Sequence, residues 1–273
     1  MIKYGKWYLL SSFLTKGTSF ILMPIYTRYL TQHDYGILQS INSIISFLPI
    51  LISLCLDSAY VRFFHDCKSE KNKISTLFST IYWSILLFGG LIIALILLSS
   101  LIWFEDLLYI PVFPYAFLAF IPTLFSQLSL LCKSHLEQSL LTSKITILDV
   151  TSTLVNGGVS LILLIIFKLG IISRLIGTFI AALYLLVFYY YYNRKEGLLT
   201  FTFDKSILIS CLKYSIPLMP AMLGSLISAA SDRLVIAEYV NMETVALYSF
   251  AFQIASLVYV AGDAITRTMT PLA

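Results

Sequence analysis

The chain has 273 residues, 59% of them hydrophobic and only 12% charged, with a mean hydropathy of +0.88 and a net charge of +4. A water-soluble domain carries about 25% charged residues and must wet its exterior, so a soluble globular protein is excluded, and the modest positive charge gives no ground for a nucleic-acid partner. The four cysteines, Cys55, Cys67, Cys132 and Cys211, form neither a CxxC pair nor a His/Cys ligand pattern, so no metal, redox or other cofactor site is expected.

A membrane helix needs about 20 apolar residues, and the apolar stretches give about eight candidates in chain order. They are Trp7–Leu30, Ile37–Phe63, Ser75–Trp103, Leu107–Leu131, Ile145–Phe167, Ile171–Tyr192, Ile207–Ala230 and Val245–Ile265. The first follows a short basic N-terminus but has no small-residue cleavage site after it, so it is read as a retained span. The fifth and sixth are parted only by Lys168-Leu169-Gly170, a tight helical hairpin. Prolines 24, 49, 122, 217 and 220 fall inside spans. Each removes a backbone donor and bends or breaks its helix, as suits a bundle around a cavity. A faint repeat relates Tyr29-Leu30-Thr31 and Gly36-Ile37-Leu38 to Tyr239-Val240-Asn241 and Ala246-Leu247-Tyr248, at a level that chance also produces. The expected fold class is therefore all-α: a polytopic membrane protein.

Lysine and arginine placement sets the orientation. With a cytoplasmic N-terminus, Arg28, Lys168, Arg174 and Arg233 fall outside and Lys16 lies within the first span. The other basic residues fall inside. Both termini are thus expected in the cytoplasm. The run Tyr189-Tyr190-Tyr191-Tyr192 before Arg194-Lys195 reads as an interfacial aromatic anchor.

No Walker loop, GxSxG, HExxH or paired-carboxylate motif is present, so no catalytic residue is assigned. Charges near membrane depth stand out instead. Lys16 sits mid-span among Ser11, Ser12, Thr15, Thr18 and Ser19, where a lysine costs about 2.5–3.5 kcal/mol on insertion scales; it either lines a wet interior or snorkels to the cytoplasm. Asp57 and Arg62 lie toward the cytoplasmic end of the second span, and Asp57 is read either as a partner for a cation such as Lys16 or as an interfacial carboxylate. Asp232 and Arg233 follow the seventh span. Asp263 and Arg267, four apart, can pair on one helix face.

The stretch Leu10 to Gly36, with Pro24-Ile25-Tyr26-Thr27-Arg28-Tyr29-Leu30 and then Asp34-Tyr35-Gly36, resembles the N-terminal signature of polysaccharide-biosynthesis exporters. These are the O-antigen and capsule repeat-unit flippases of the MATE-like superfamily. Ser231-Asp232-Arg233 and Ala246-Leu247-Tyr248-Ser249 resemble the start of that family's second lobe. The resemblance implies two lobes of about six helices and alternating access between them. Residues 1–200 are the expected first lobe, and residues 201–273 the first two helices of a second lobe that is incomplete, so that the chain is expected to be a fragment or to need a partner.

As substrate, the resemblance implies a polyprenyl-diphosphate-linked oligosaccharide, translocated across the cytoplasmic (inner) membrane for O-antigen, capsule or exopolysaccharide synthesis. Membrane lipids and a polysaccharide polymerase with its assembly proteins are the further expected partners. Lys16, Arg28, Arg62 and Arg267 are the expected diphosphate-binding cations of the cavity, and Asp57, Asp232 and Asp263 the expected coupling or charge-pairing carboxylates. A cation-coupled multidrug exporter of the same fold and a membrane-embedded glycosyltransferase or polymerase of the same pathway stand as alternatives. The basic charge in the first span counts against the former, and the short outer loops against the latter.

The orientation is checked by cysteine accessibility in a background with the four native cysteines replaced by alanine. Lys168→Cys is expected to react with a membrane-impermeant maleimide on intact cells, and Lys195→Cys only after permeabilisation. The opposite pattern would invert the topology.

Overall fold

The computed structural model describes residues 17–18, 22, 24–67, 70–108, 110–139 and 141–269, without the side chains of 71, 142, 228–230 and 256–269. The described residues are helical apart from short connections, and no strand occurs among them. A helical stretch over residues 24–29 ends at Leu30. There follow α1 (Gln32–Ser53), α2 (Leu56–Cys67), α3 (Lys71–Leu108), α4 (Val112–Gln138), α5 (Thr142–Ile165) and α6 (Ile171–Lys195). A connection leads to α7 (Lys205–Ser215), a 3₁₀ turn at Ile216–Leu218, α8 (Met219–Tyr239) and α9 (Met242–Met269). Among the described residues, six helices are long and apolar enough to cross a membrane. The chain is a polytopic all-α membrane protein. Of the remaining expected spans, the first lies largely outside the described residues, and the eighth corresponds to α9.

Several expected boundaries move, each for a local reason. Thr31-Gln32-His33-Asp34, read as a loop, opens α1: the Thr31 side chain accepts the Asp34 N–H at 3.0 Å and caps the helix. The expected second span is two helices. It breaks not at Pro49, which stays inside α1, but at Leu54 and Cys55, with φ of 49° and 55°. Left-handed backbone at non-glycine residues costs about 1–2 kcal/mol each. Burial offsets it, because Ile52, Ser53, Cys55 and Leu56 are all inside the bundle. The Leu54 N–H still donates to the Ile50 carbonyl, and Cys55 N–H to the Ser53 hydroxyl at 3.2 Å.

Phe104-Glu105-Asp106, expected outside as a loop, is the last part of α3. Phe104 is fully buried, edge-on to Phe120, and no helix breaker intervenes before Pro111. Glu105 then reaches forward to accept the Val112 N–H at 3.2 Å. The expected seventh span is interrupted by the 3₁₀ turn at Ile216-Pro217-Leu218 and resumes as α8. Prolines 217 and 220 cannot donate into the ladder there.

The sharp α5–α6 hairpin is as expected. Lys168 and Gly170 carry φ of 53° and 57°, and Ser173 Oγ donates back to the Gly170 carbonyl. Within α5 and α6, small residues permit close approach, the usual currency of membrane helix packing. A Cβ on Gly177 would collide with Ser160 Oγ and the Asn156 carbonyl.

The most extensive packing joins α4 to α6, α5 to α6 and α1 to α9. The α1–α9 seam is equally tight. A Cβ on Gly36 would run into the backbone of Met242, Ser40 Oγ donates to Met242 Sδ at 3.7 Å, and Tyr35 OH donates to Gln253 Oε1 at 3.2 Å. At its end His33 Nδ1 lies 3.4 Å from Glu243 Oε1.

The connection between α6 and α7 is bound along α3. Ser75 Oγ donates to the Leu198 carbonyl at 3.0 Å and Ser79 Oγ to the same carbonyl at 2.9 Å, while Thr200 N–H donates to Ser79 Oγ at 2.9 Å. Trp83 Nε1 donates to the Thr200 carbonyl at 2.9 Å and its ring stacks on Phe201, and Asp204 N–H donates to Thr80 Oγ1 at 3.1 Å.

Because the Gly36 contact is with backbone, it cannot be relieved by a side-chain rotation. Gly36→Ala is expected to cost about 1–3 kcal/mol, the range for overpacking a filled site, and Gly90→Ala, with open space at the Cβ, almost nothing. Comparing the thermal unfolding midpoints of the two purified variants checks this.

Candidate functional site

Two arginines that sequence position alone placed among the outer charges come together on one cavity. Arg174 lies in the first turn of α6. The hairpin turn and the close α5–α6 contact at Gly177 bring it opposite Asn156 of α5. Its Nη1 donates to Asn156 Oδ1 at 2.7 Å and to the Tyr26 hydroxyl at 3.3 Å, and the guanidinium carbon is 5.3 Å from the centre of the Tyr26 ring. Arg233, on α8, lies 4.8 Å from the centre of the Phe252 ring on α9. Its Nε is buried and makes no hydrogen bond, as is true of Ser249 Oγ beside it. Among the described residues, neither arginine has a carboxylate partner. The ion pairs found there join His33 to Glu243, Arg62 to Asp66, Lys73 to Glu70 and Lys133 to Asp149.

The cavity these arginines share is about 330 Å³, within the usual size of small-molecule sites. It is bounded by the N-terminal segment, α1, α6, α8 and α9. Tyr26, Tyr35 and Phe252 supply aromatic faces, Gln39, Asn42 and Gln253 supply amides, and Leu22 and Leu38 supply apolar surface. A second cavity of about 250 Å³ adjoins it between α4, α5 and α6, with Leu22 and Arg174 common to both. Guanidinium groups held by neutral partners keep their full charge for an incoming anion, and in a space with little water that attraction is much less screened than at a surface. Aromatic faces with amides beside them suit the two surfaces of a sugar ring, one of C–H groups and one of hydroxyls.

Of the residues singled out from the sequence, those whose side chains are described do not line this cavity. Lys16 lies outside the described residues, and so do the side chains of Arg267 and Asp263 on α9. Arg28 is exposed at the end of the N-terminal helical stretch and lines neither cavity. Arg62 is exposed on α2 and pairs with Asp66 at 3.4 Å, one helical turn on. Asp57 is half-buried beside the Leu54–Cys55 break and accepts from Ser53 Oγ at 3.3 Å. Asp232 points away from its neighbour Arg233 in bonding terms, accepting from Tyr248 OH at 2.6 Å. The available signal for Arg174 was Asn156, an amide in the middle of an apolar span. A polar group at that depth needs a partner from another helix.

The profile of the family described as "Polysaccharide biosynthesis protein" matches residues 2–271. The chain is 26% identical over 259 residues to the succinoglycan biosynthesis transport protein ExoT of Rhizobium meliloti (strain 1021), a match covering 92% of this chain and 49% of that protein. Among solved structures it resembles a mutant of the Vibrio cholerae MATE transporter VcmN, with a TM-score of 0.71, 17% identity, and coverage of 99% of this chain and 64% of that one. The chain thus spans about half the length of the curated relative it matches. At 17% identity the structural likeness speaks for the fold, and that fold is the MATE one. With the family profile running through residues 2–271, the chain belongs to the polysaccharide biosynthesis protein family.

Proposed function

We propose that this chain contributes the first lobe, residues 1–200, and the opening helices of the second lobe, residues 201–273, to a transporter that carries diphosphate-linked saccharide units on a polyprenyl lipid across the cytoplasmic membrane. The observation that carries the proposal is the cavity with Arg174 and Arg233 on facing elements and no carboxylate among its described lining residues. A diphosphate is the anion such a pair suits, since each guanidinium can donate two hydrogen bonds in a fixed fork. The diphosphate role expected of Lys16, Arg28, Arg62 and Arg267 therefore passes first to Arg174 and Arg233.

Family membership and the printed function of the rhizobial relative, transport in succinoglycan biosynthesis, support a saccharide cargo. The MATE fold supports movement by alternating access between lobes. In this reading Arg174, from the first lobe, and Arg233, from the second, grip one anion from both sides, so the loaded and empty states differ in how the lobes attract one another. A transporter role accounts for the site without a catalytic residue. A cation-coupled multidrug exporter, which needs carboxylates in its cavity to bind the coupling ion, is disfavoured by the two arginines and by the absence of a carboxylate among the described lining residues.

Each arginine is testable in the full-length protein in its own host. Losing a charge-assisted hydrogen bond costs about 1.5–3 kcal/mol. Arg174→Gln and Arg233→Gln are therefore each expected to lower surface polysaccharide about tenfold or more, while lipid-linked saccharide accumulates on the cytoplasmic leaflet. Wild-type export by both variants at equal abundance would remove the diphosphate assignment.

A further inference from the structure

The second cavity has a chemistry of its own. Three hydroxyls on its wall have their protons committed to helix backbone. Ser152 Oγ donates to the Asp149 carbonyl at 3.0 Å, Thr153 Oγ1 to the same carbonyl at 2.8 Å, and Thr178 Oγ1 to the Arg174 carbonyl at 3.0 Å. What these oxygens can still offer is lone pairs. The wall is therefore rich in acceptors, and it calls for a ligand rich in donors.

Species that engage oxygen lone pairs are metal ions, ammonium groups and the hydroxyls of polyols. The first two carry positive charge, and the Arg174 guanidinium stands in the same cavity, with no carboxylate among the described lining residues to offset it. An anion is poorly served too, because the hydroxyl lone pairs turned to this cavity oppose it. A neutral polyhydroxylated ring meets neither objection. Besides Ser126 and the Asn156 amide, the wall has Ala181, Ala182 and Leu185, an apolar patch for the C–H face of such a ring.

We infer that this cavity, between α4, α5 and α6, is a subsite for one neutral pyranose ring, and that it reads the sugar bonded directly to the diphosphate. The inference rests on the transport reading above. The link is Arg174, which lines both cavities: an anion held by Arg174 and Arg233 places the attached ring next to the acceptor wall. The aromatic cavity is left for the anion and the sugars beyond, and the identity of the first sugar is checked by Ser152, Thr153 and Thr178.

The test uses the full chain in lipid nanodiscs, free of sugar detergents, with two kinds of probe. Inorganic pyrophosphate reports the arginine pair. Methyl glucopyranoside, galactopyranoside and mannopyranoside report the subsite by saturation-transfer NMR. Wild-type protein is expected to respond to pyrophosphate and to at least one pyranoside. Thr153→Val with Thr178→Val, which keeps volume and removes acceptors, should cut the pyranoside response at least fivefold and leave pyrophosphate binding intact. Ala181→Leu, which fills the space, should do the same by a different route. Intact pyrophosphate binding shows that either variant is folded, and if one fails that control the other decides.

Pyrophosphate binding with no pyranoside response, or a response equal in wild type, the valine pair and Ala181→Leu, would overturn the subsite and leave the transport reading standing. No pyrophosphate binding by the wild type would overturn that reading and the subsite with it. In cells, the valine pair should also lower surface polysaccharide. Unchanged export with pyranoside binding lost would mean a site for free sugar and would overturn the assignment to the cargo.

Discussion

An arginine held inside a membrane bundle by an amide, not by a carboxylate, is the interaction on which the rest of the site turns. Asn156 Oδ1 orients the Arg174 guanidinium at 2.7 Å without neutralising it, so the charge is positioned and still available. A carboxylate in place of Asn156 would hold the same geometry and cancel the field. Burying a cation without a counter-charge is expensive, and the structure meets that cost by spreading it over the amide, the Tyr26 hydroxyl and the Tyr26 ring. The second arginine has the Phe252 face beneath it and, among the described residues, no carboxylate paired with it.

The geometry that permits this begins with the smallest side chains. Gly177 lets α6 lie close enough to α5 for Arg174 to reach Asn156, and Gly36 lets α1 lie against the start of α9. The second contact sets where Phe252 and Gln253 sit relative to Tyr26 and Tyr35, and so fixes the width of the shared cavity. Bulk at either glycine would be felt at the arginines, though neither glycine lines the cavity they share.

Much of the fold was legible from composition alone, because a bilayer permits so few backbone solutions. The hairpin at Gly170 was readable since only a residue tolerant of positive φ fits between two abutting spans. The break at Leu54–Cys55 was not, because no glycine marks it and its cost is met by tertiary burial, which a single sequence does not display. Proline alone does not tell the two outcomes apart: Pro49 and Pro122 remain inside their helices, whereas Pro217 and Pro220 mark an interruption. The site was the least legible part. Depth along a span made Lys16 conspicuous and made Arg174 look like a loop-end charge. What distinguishes Arg174 is which helix faces it, and that depends on the rotation of α5 against α6, a property carried by small residues whose hydropathy is unremarkable.

The connection between α6 and α7 bears on how such a molecule can move. By sequence it is a stretch of mixed polarity from Glu196 to Asp204 that interrupts the apolar spans, long enough to serve as slack between two halves. Instead it lies pinned along α3 by five serine, threonine and tryptophan hydrogen bonds. The slack is already taken up, so the helices that follow start from a fixed point on α3. Sliding apart is closed to them as long as those bonds hold, and the inexpensive displacement is a swing about Asp204, like a door on a short hinge.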